Sequence, residues 1–445
     1  MVNYLQTEDV IIAQCTSDGP GAINIVRLSG SSLGSLFRNL TKTKTDPKPN
    51  TITYQDVYID GVLLDRCLIS FFKGPCSFTG EDVVEINCHG GSVISKAIIK
   101  RIVALEYARH ALPGEFTFRA YYNGKIDVLQ AESINDLIKS QTNVFANKTM
   151  ENIDGRISGE IGKIKQSLIN LSSLIEYDLD IDESDADITS NDDINDILNK
   201  VILDIKNISN CSLYSNIIKN GVRVVLIGKP NVGKSTMFNY LLGFNRSIVS
   251  NVAGTTRDTI EATLDIDGHK IIFIDTAGCW GSSEEIEKVG IEKTKKEINS
   301  ADIALYLGEK DNDLELINEL NVHCDCITVL SKSDINQSKL YDVSISSVDR
   351  LGFDALLTML STKIKDIISD KDIGSDYYIN ERQQFVLKDI ISKGEELVKI
   401  INSGLERDVL ATLVKDLVDT LNEIVDPINK EDVINNIFSN FCVGK

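Results

Sequence analysis

"RVVLIGKPNVGKST", Arg223–Thr236, decides the fold of the middle of this chain. A short run of branched apolar residues leads into a loop with the spacing GxxxxGK[ST], Gly228 through Ser235, and an apolar-periodic stretch follows. Strand, loop and helix in that order are the context a phosphate-binding loop requires. The glycines let backbone N–H groups turn inward on phosphate oxygens, and the start of the following helix favours their negative charge. Asn231, Val232, Gly233, Lys234, Ser235 and Thr236 are therefore the candidate phosphate contacts. Lys234 is placed to reach the β- and γ-phosphates. Ser235 is placed to give an oxygen to Mg2+, a hard ion that takes oxygen ligands.

Outward from this loop, "KIIFID", "DIALYLG", "CITVLS" and "DVSIS" alternate with helical stretches. That alternation predicts a doubly wound, mostly parallel sheet. Three further signals narrow the nucleotide to GTP. Asp275, Thr276, Ala277 and Gly278 form "DTAG" at a strand end, with Asp275 placed to orient the Mg2+ shell and the Gly278 amide to touch the γ-phosphate. "GTTRD", Gly254–Asp258, lies between the two, and Thr256 is positioned to complete the magnesium shell when that loop orders. "SKSD" (Ser331, Lys332, Ser333, Asp334) ends another strand, and the Asp334 carboxylate can accept from guanine's ring N–H and amino group, where adenine offers an acceptor. Ser346 and Ser347 stand at the right distance to back the base.

Two departures from the usual pattern matter. Ser331 occupies the place where such a tetrad begins with Asn, which predicts guanine preference kept through Asp334 and affinity lower by about 1 kcal/mol. Cys279 occupies the place where Ras-like proteins carry the Gln that orients water. Asn231 and Glu287 are the polar candidates nearby; spacing alone makes Glu287 an exposed carboxylate at a helix start.

Before residue 120 or so, short strand-like runs with Gly and Pro turns predict an α/β domain. Ile153, Ile157, Ile161, Ile164, Leu168, Leu171 and Ile175 then recur at spacings of four or three, one apolar seam on a long helix. Leu387, Ile391, Gly394, Leu397, Val398 and Ile401 form another helical face, and Leu410, Leu413, Val414, Leu417, Leu421 and Ile424 a third. Each half has an apolar face to cover, so one helical domain with the sheet domain inserted into it is the simplest arrangement. Glu176–Asp196 holds ten carboxylates and no Lys or Arg. It fails the calcium-loop test, with Glu183 where the sharp-turn Gly belongs and Thr189 where the bidentate Glu belongs.

Composition bounds the answer. The 445 residues carry a net charge of −20. Such a surface repels phosphate backbones, so an RNA substrate needs a basic partner or a small basic patch to hold it. Nine scattered cysteines include no CxxC pair, and the four histidines show no metal-ligand spacing, which argues against a disulfide framework or zinc. No apolar run reaches the ~18 residues of a membrane span, and the first residues lack the basic and apolar regions of a signal peptide; a cytosolic protein is expected.

The order and wording of the motifs resemble the tRNA-modifying GTPase family MnmE (also TrmE). The resemblance covers nearly the whole chain and rests on "FKGPCSFTGEDVVEINCHGG", "PGEFTFRAYYNGKIDVLQAES", "GKPNVGKS", "AGTTRD", "DTAG" and the terminal "FCVGK". It implies α/β plus α architecture: an N-terminal folate-binding and dimerisation domain (1–122), a helical domain in two halves (123–217 and 373–445), and an inserted Ras-like P-loop GTPase domain (218–372). It implies a cytoplasmic homodimer that works with MnmG, an FAD and NADH flavoprotein, in a heterotetramer or larger complex. Together they would place an aminomethyl or carboxymethylaminomethyl group on C5 of the wobble uridine of certain tRNAs. The carbon would come from 5-formyl- or methylene-tetrahydrofolate. Matched residue by residue, the folate contacts fall on Arg27, Glu85, Lys125 and Lys445. The remaining GTP contacts fall on Ser250, Asn251, Val252, Ala253, Gly254, Thr255 and Thr256. The resemblance also implies a potassium ion in the place of an arginine finger, held by Asn231, Ser250, Val252 and Thr255, with Glu287 helping to place the attacking water.

Cys442, four residues from the end, is the remaining puzzle. The Gly444–Lys445 ending and the absence of a polybasic flank argue against prenylation. The resemblance puts this tail near the folate pocket, with the thiol free to attack uracil C6; an inert structural cysteine is the rival reading. Two other functional readings stand beside the main one. A ribosome-assembly GTPase would carry a basic RNA-binding module and co-sediment with ribosomal subunits. A free folate-dependent one-carbon transferase would not depend on a flavoprotein.

Overall fold

The computed structural model describes residues 4, 9–31, 33–45, 47–180, 189–244, 260–275, 294–370, 377–403, 406–427 and 431–445. The chain divides into two compact units, one of residues 1–135, 152–198 and 396–445, the other of residues 136–151 and 199–395.

In the first unit, β1 (Ile11–Gln14), β2 (Ile23–Gly30), β3 (Thr51–Ile59), β4 (Val62–Phe72), β5 (Asp82–His89) and β6 (Arg109–His110) form a six-stranded sheet in the order β3-β4-β5-β2-β1-β6. All its pairings are antiparallel except β1 with β6. Alternation does the sorting. Val26 and Leu28 of β2, and Val84, Ile86 and Cys88 of β5, turn to one face, while Arg27, Glu85 and Asn87 turn to the other. The apolar face is covered by α1 (Leu33–Thr41), through Leu33, Leu36, Phe37 and Leu40, and by α2 (Ser92–Ala104), through Ile98 and Ile102.

α3 (Glu115–Tyr122) follows β6. Its Phe118 and Tyr121 pack with Tyr4 and with Phe438 of the last helix, Glu431–Ser439. That cluster ties the C-terminal tail to the sheet domain. Gly114, just before α3, has φ 66°, and a Cβ there would stand 2.7 Å from the Phe438 carbonyl oxygen, so only glycine fits the crossing. The long apolar seam is real. Ile157, Ile161, Ile164, Leu168, Leu171 and Ile175 are all buried on the helix Arg156–Asp180, which packs against the helix Arg407–Val425. Ile153 belongs to the preceding helix, Asn143–Ile153, since Gly155 at φ 87° separates the two.

The second unit is built on β7 (Val222–Gly228), β8 (Ile260–Ile266), β9 (His269–Asp275), β10 (Ile303–Gly308), β11 (Asp325–Leu330) and β12 (Val343–Ser344) in the order β12-β11-β10-β7-β9-β8. All are parallel except β8, which pairs antiparallel with β9. Both faces are covered. Val224, Leu226, Leu305 and Leu307 enter one core cluster, and Val225, Ile227, Ala304 and Tyr306 enter the other. Such strands read as continuous apolar runs, which is why five of the six stood out in the sequence. β8 did not, because "IEATLDI" alternates apolar with polar. Its signal was the turn Asp267–Gly268, both at positive φ, which closes the β8–β9 hairpin.

The acidic stretch has a partial structural account. Ser190 and Asp193 form a reciprocal cap, with the Asp193 N–H donating to Ser190 Oγ (3.1 Å) and Ser190 Oγ donating to the Asp193 carboxylate (2.6 Å). Asp192 and Asp193 also stand in the first turn of the helix Asn191–Asn210, where negative charge is favoured. Residues 181–188 lie outside the described residues. Among the described residues no group of carboxylates, thiols and imidazoles is arranged to hold a metal, and no helix is long and apolar enough to cross a membrane.

Candidate functional sites

The phosphate-loop candidates stand at the C-terminal end of β7, the strand with β9 on one side and β10 on the other. In open α/β sheets this reversal of order makes a crevice that receives ligands. The loop bends as its glycines require. Gly228 has φ 149°, and a Cβ there would meet the Leu307 carbonyl oxygen at 2.3 Å; Gly233 has φ 100° and Asn231 φ 64°. Val232 anchors the loop in the core at 2 % exposure.

Lys234 opens the helix Lys234–Phe244 and is 4 % exposed. Its ammonium donates to the carbonyls of Gly228 (2.8 Å) and Lys229 (2.9 Å), so it already lies over its own loop. Burial lowers its pKa, opposed by the nearby Asp275 carboxylate. Ser235 Oγ donates to Asp275 Oδ2 at 3.2 Å. A hydroxyl and a carboxylate converging beside a phosphate loop are the donor set that Mg2+ prefers, and these two residues fit it. Thr236 is exposed beside them.

At the base-recognition tetrad, Ser331 is buried. Its Oγ donates to the Gly308 carbonyl at 3.2 Å. The phosphate loop is braced from this side by Lys332, whose ammonium donates to the Asn231 carbonyl (3.2 Å) and pairs with Glu309 (2.5 Å). Sequence reasoning named Lys332 as a contact and missed this role. Ser333 N–H donates to the Ile345 carbonyl (3.0 Å). Ser346 Oγ stands 3.1 Å from Asp334 Oδ1, steadying an exposed carboxylate whose other oxygen has no hydrogen-bond partner among the described residues. Ser347 is exposed next to it. Ser250, Asn251, Val252, Ala253, Gly254, Thr255, Thr256, Thr276, Ala277, Gly278 and Glu287 lie outside the described residues.

A second constellation is assembled in the first unit from residues far apart in sequence. Arg27 Nε donates to Glu85 Oε1 at 2.8 Å across the β2–β5 register, and both side chains are about four-fifths shielded. Arg27 Nη1 (3.3 Å) and Cys15 Sγ (3.2 Å) both reach the Gly444 carbonyl. The tail is held further by the Pro113–Val443 bridge and by the Gly114 N–H donating to the Cys442 carbonyl (3.3 Å). Lys445 N–H turns back onto that same carbonyl (3.3 Å). The Cys442 side chain is exposed, so it is no packed core residue. Arg27 and Glu85 thus meet the Gly444–Lys445 end of the tail, while Cys442 is held there by its backbone carbonyl. Lys125 instead lies against the 74–80 turn, donating to the Pro75 carbonyl at 3.1 Å. Cys15 was not foreseen, since no spacing links it to the tail. Burial raises its pKa, with Arg27 and Lys445 lowering it and Glu85 raising it.

Behind this face lies a buried ionic network, also unforeseen. Arg119, fully buried, donates to Asp9 Oδ1 (2.8 Å), Glu115 Oε1 (3.0 Å) and the Glu81 carboxylate (3.2 Å). Arg109 pairs with the same Asp9 and Glu115.

Comparison with known proteins agrees along the chain. The profile of the GTP-binding protein TrmE N-terminus matches residues 10–125, and that of the MnmE helical domain matches residues 128–442. The tRNA modification GTPase MnmE of Flavobacterium johnsoniae is 34% identical, covering 98% of this chain and 99% of that protein. That of Aquifex aeolicus is also 34% identical, over 98% and 99%, and that of Cytophaga hutchinsonii 32%, over 98% of each. Among solved structures, the G domain of the T. maritima FeoB iron transporter is 27% identical over 33% of this chain and 98% of that one, with a TM-score of 0.26. With a P-loop domain and a tail-completed N-terminal sheet in one chain, matched end to end by these relatives, the protein belongs to the MnmE family of tRNA modification GTPases.

Proposed function

We propose that this chain hydrolyses GTP and couples that hydrolysis to modification of a tRNA wobble uridine at C5. The observation that carries the first half is the P-loop: Lys234 lying over the loop carbonyls, with Ser235 and Asp275 converging beside it. When bound, Mg2+ would be held by Ser235 and Thr256 and would offset phosphate charge. Asp334, steadied by Ser346, selects guanine. Potassium activation is part of the reading. The Asn231 side chain has no hydrogen-bond partner among the described residues and is exposed at the loop, as a cation ligand needs to be. Ser250, Val252 and Thr255 would complete the ion's shell, and Glu287 would orient water.

The second half is supported by the tail. Glu85 Oε2 remains available to pair with the amide and amino edge of a pterin, while Arg27, Lys125 and Lys445 suit the carboxylates of a tetrahydrofolate derivative. That cofactor would supply the one-carbon unit. Cys442 offers an exposed thiol to uracil C6. Addition there would make C5 nucleophilic toward the one-carbon unit; once the C5–carbon bond has formed and the carbon's bond to the carrier nitrogen has broken, loss of the C5 proton and expulsion of the thiolate would restore the ring. The chain works as a homodimer with the flavoprotein MnmG in the cytoplasm.

Two measurements test this. GTP turnover with potassium replaced by sodium should fall sharply, and equal rates would remove the ion-activated mechanism. Cys442→Ser should keep GTP hydrolysis and lose uridine modification; full modification would end the catalytic role of that thiol.

A further inference from the structure

A chain of net charge −20 that acts on tRNA must offer the phosphate backbone some local patch of positive charge. The outer flank of α2 is such a place. From Ser92 to Ala104 the helix carries Lys96, Lys100 and Arg101 and no carboxylate. Its inner face, Ser95, Ile98 and Ile102, is buried on the sheet. Its flank and the edge strand β6 enclose a groove of about 510 Å3 lined by Lys96, Ile99, Lys100, Val103, Ala104 and His110. Arg101 is taken by Asp60 at 2.5 Å. Lys96 and Lys100 are exposed, and neither ammonium has a hydrogen-bond or carboxylate partner among the described residues. The two lysines are four residues apart, about 6 Å along the helix axis, so both heads point along one rim. Ile99, Val103 and Ala104 form an apolar floor beneath them, and exposed His110 adds a ring donor on the opposite wall.

We propose that this groove holds a stretch of RNA backbone, with Lys96 and Lys100 as phosphate contacts and the aliphatic floor against the sugars. The proposal rests on the reading of this chain as a tRNA-modifying enzyme. It assigns the substrate a binding surface whose lining includes no P-loop and no tail residue. Charge favours RNA over a protein partner: α2 carries three cations and no carboxylate beside the groove, and each phosphate that Lys96 and Lys100 neutralise releases a counterion.

The test is the salt dependence of tRNA binding by the full-length protein with its flavoprotein partner, for wild type and for K96Q/K100Q. Each lost phosphate contact should flatten the slope of log affinity against log salt by roughly 0.7–0.9, so the double variant should lose about 1.5. K96E/K100E should bind at least about tenfold more weakly at low salt. GTP turnover of the variants should match wild type, which shows that they are folded. Equal slopes, or a weakened grip on the flavoprotein with RNA binding unchanged, would overturn the proposal. If cells lacking the chain lose wobble modification while the slopes stay equal, this inference falls and the functional reading stands.

Discussion

The two six-stranded sheets of this protein solve the same problem in opposite ways. The β7–β12 sheet is mostly parallel, apolar on both faces, and delivers its phosphate loop as one contiguous run at the end of β7. The β1–β6 sheet is mostly antiparallel, with its main apolar core on one face and a small apolar cluster beside polar side chains on the other, and its candidate site takes Arg27 from β2, Glu85 from β5, and the last residues of the chain. A site encoded in consecutive residues tolerates distant change, because its geometry is local. A site assembled from three segments depends on whatever holds those segments in register, and here that includes a buried ionic network.

The contrast gives its largest prediction at Arg119. Replacing it with Met leaves Glu115, itself fully buried, without that partner, together with parts of Asp9 and Glu81. Breaking a buried pair this way costs about 3–5 kcal/mol, so the urea midpoint of the first unit should fall steeply, and uridine modification with it. A shift of under about 1 kcal/mol would mean that the network is not what holds the tail site together. At the local site the corresponding change is Lys234→Ala. It removes a cation from the phosphate cradle and should cost about 10²- to 10³-fold in GTP turnover while leaving the unfolding of both units unaltered. Loss of folding in this variant would erase the distinction drawn between the two sites.

The same contrast explains what the sequence disclosed. "GKPNVGKST", "DTAG" and "SKSD" are short runs whose spacing alone carries their chemistry, so the nucleotide site was legible residue by residue. The parallel strands were legible because burial on both faces leaves an unbroken apolar run. Arg27 and Glu85 stand 58 positions apart, and nothing in their spacing joins them; only resemblance to a family did so. Cys15 and Arg119 were missed for a related reason. A thiol on a terminal carbonyl and an arginine among carboxylates are made by register and packing, which a linear reading does not contain. Ser331 shows the converse limit. Its departure from Asn was visible, but the Lys332 brace on the loop is made across 101 positions by the fold and not by local spacing.

Ser331 offers a finer test. With its Oγ turned to the Gly308 carbonyl, it gives the phosphate loop nothing directly. Ser331→Asn adds an amide that can reach toward that loop, and should tighten GTP binding by about 1 kcal/mol, roughly fivefold. Unchanged affinity, measured by competition at equilibrium, would mean that the Lys332–Asn231 contact already does the bracing in full.

The smallest effect separates the units by pH. In the second unit, burial holds His269 below its ordinary 6.5, with Asp265 and Asp267 opposing and Lys365 assisting. Its unfolded form therefore takes up a proton first, and stability is lost as pH falls through about 6.5. In the first unit, burial pushes Asp65 up, but the His89 backbone N–H and ring and the Arg66 N–H outweigh it, and the net pKa lies below the ordinary 3.8. That contribution is intact above 3.8 and is lost only as pH falls below it. Cys211 and Cys88, both fully buried and the latter thiol pushed up to about 11, report opening of the second and first units respectively. Urea titrations read by alkylation of these two cysteines, at about pH 7.5 and about pH 5.5, should show the second unit softening and the first holding. His269→Gln should flatten the response of the second unit, and an equal loss in both units would show that the difference lies elsewhere than in this imidazole.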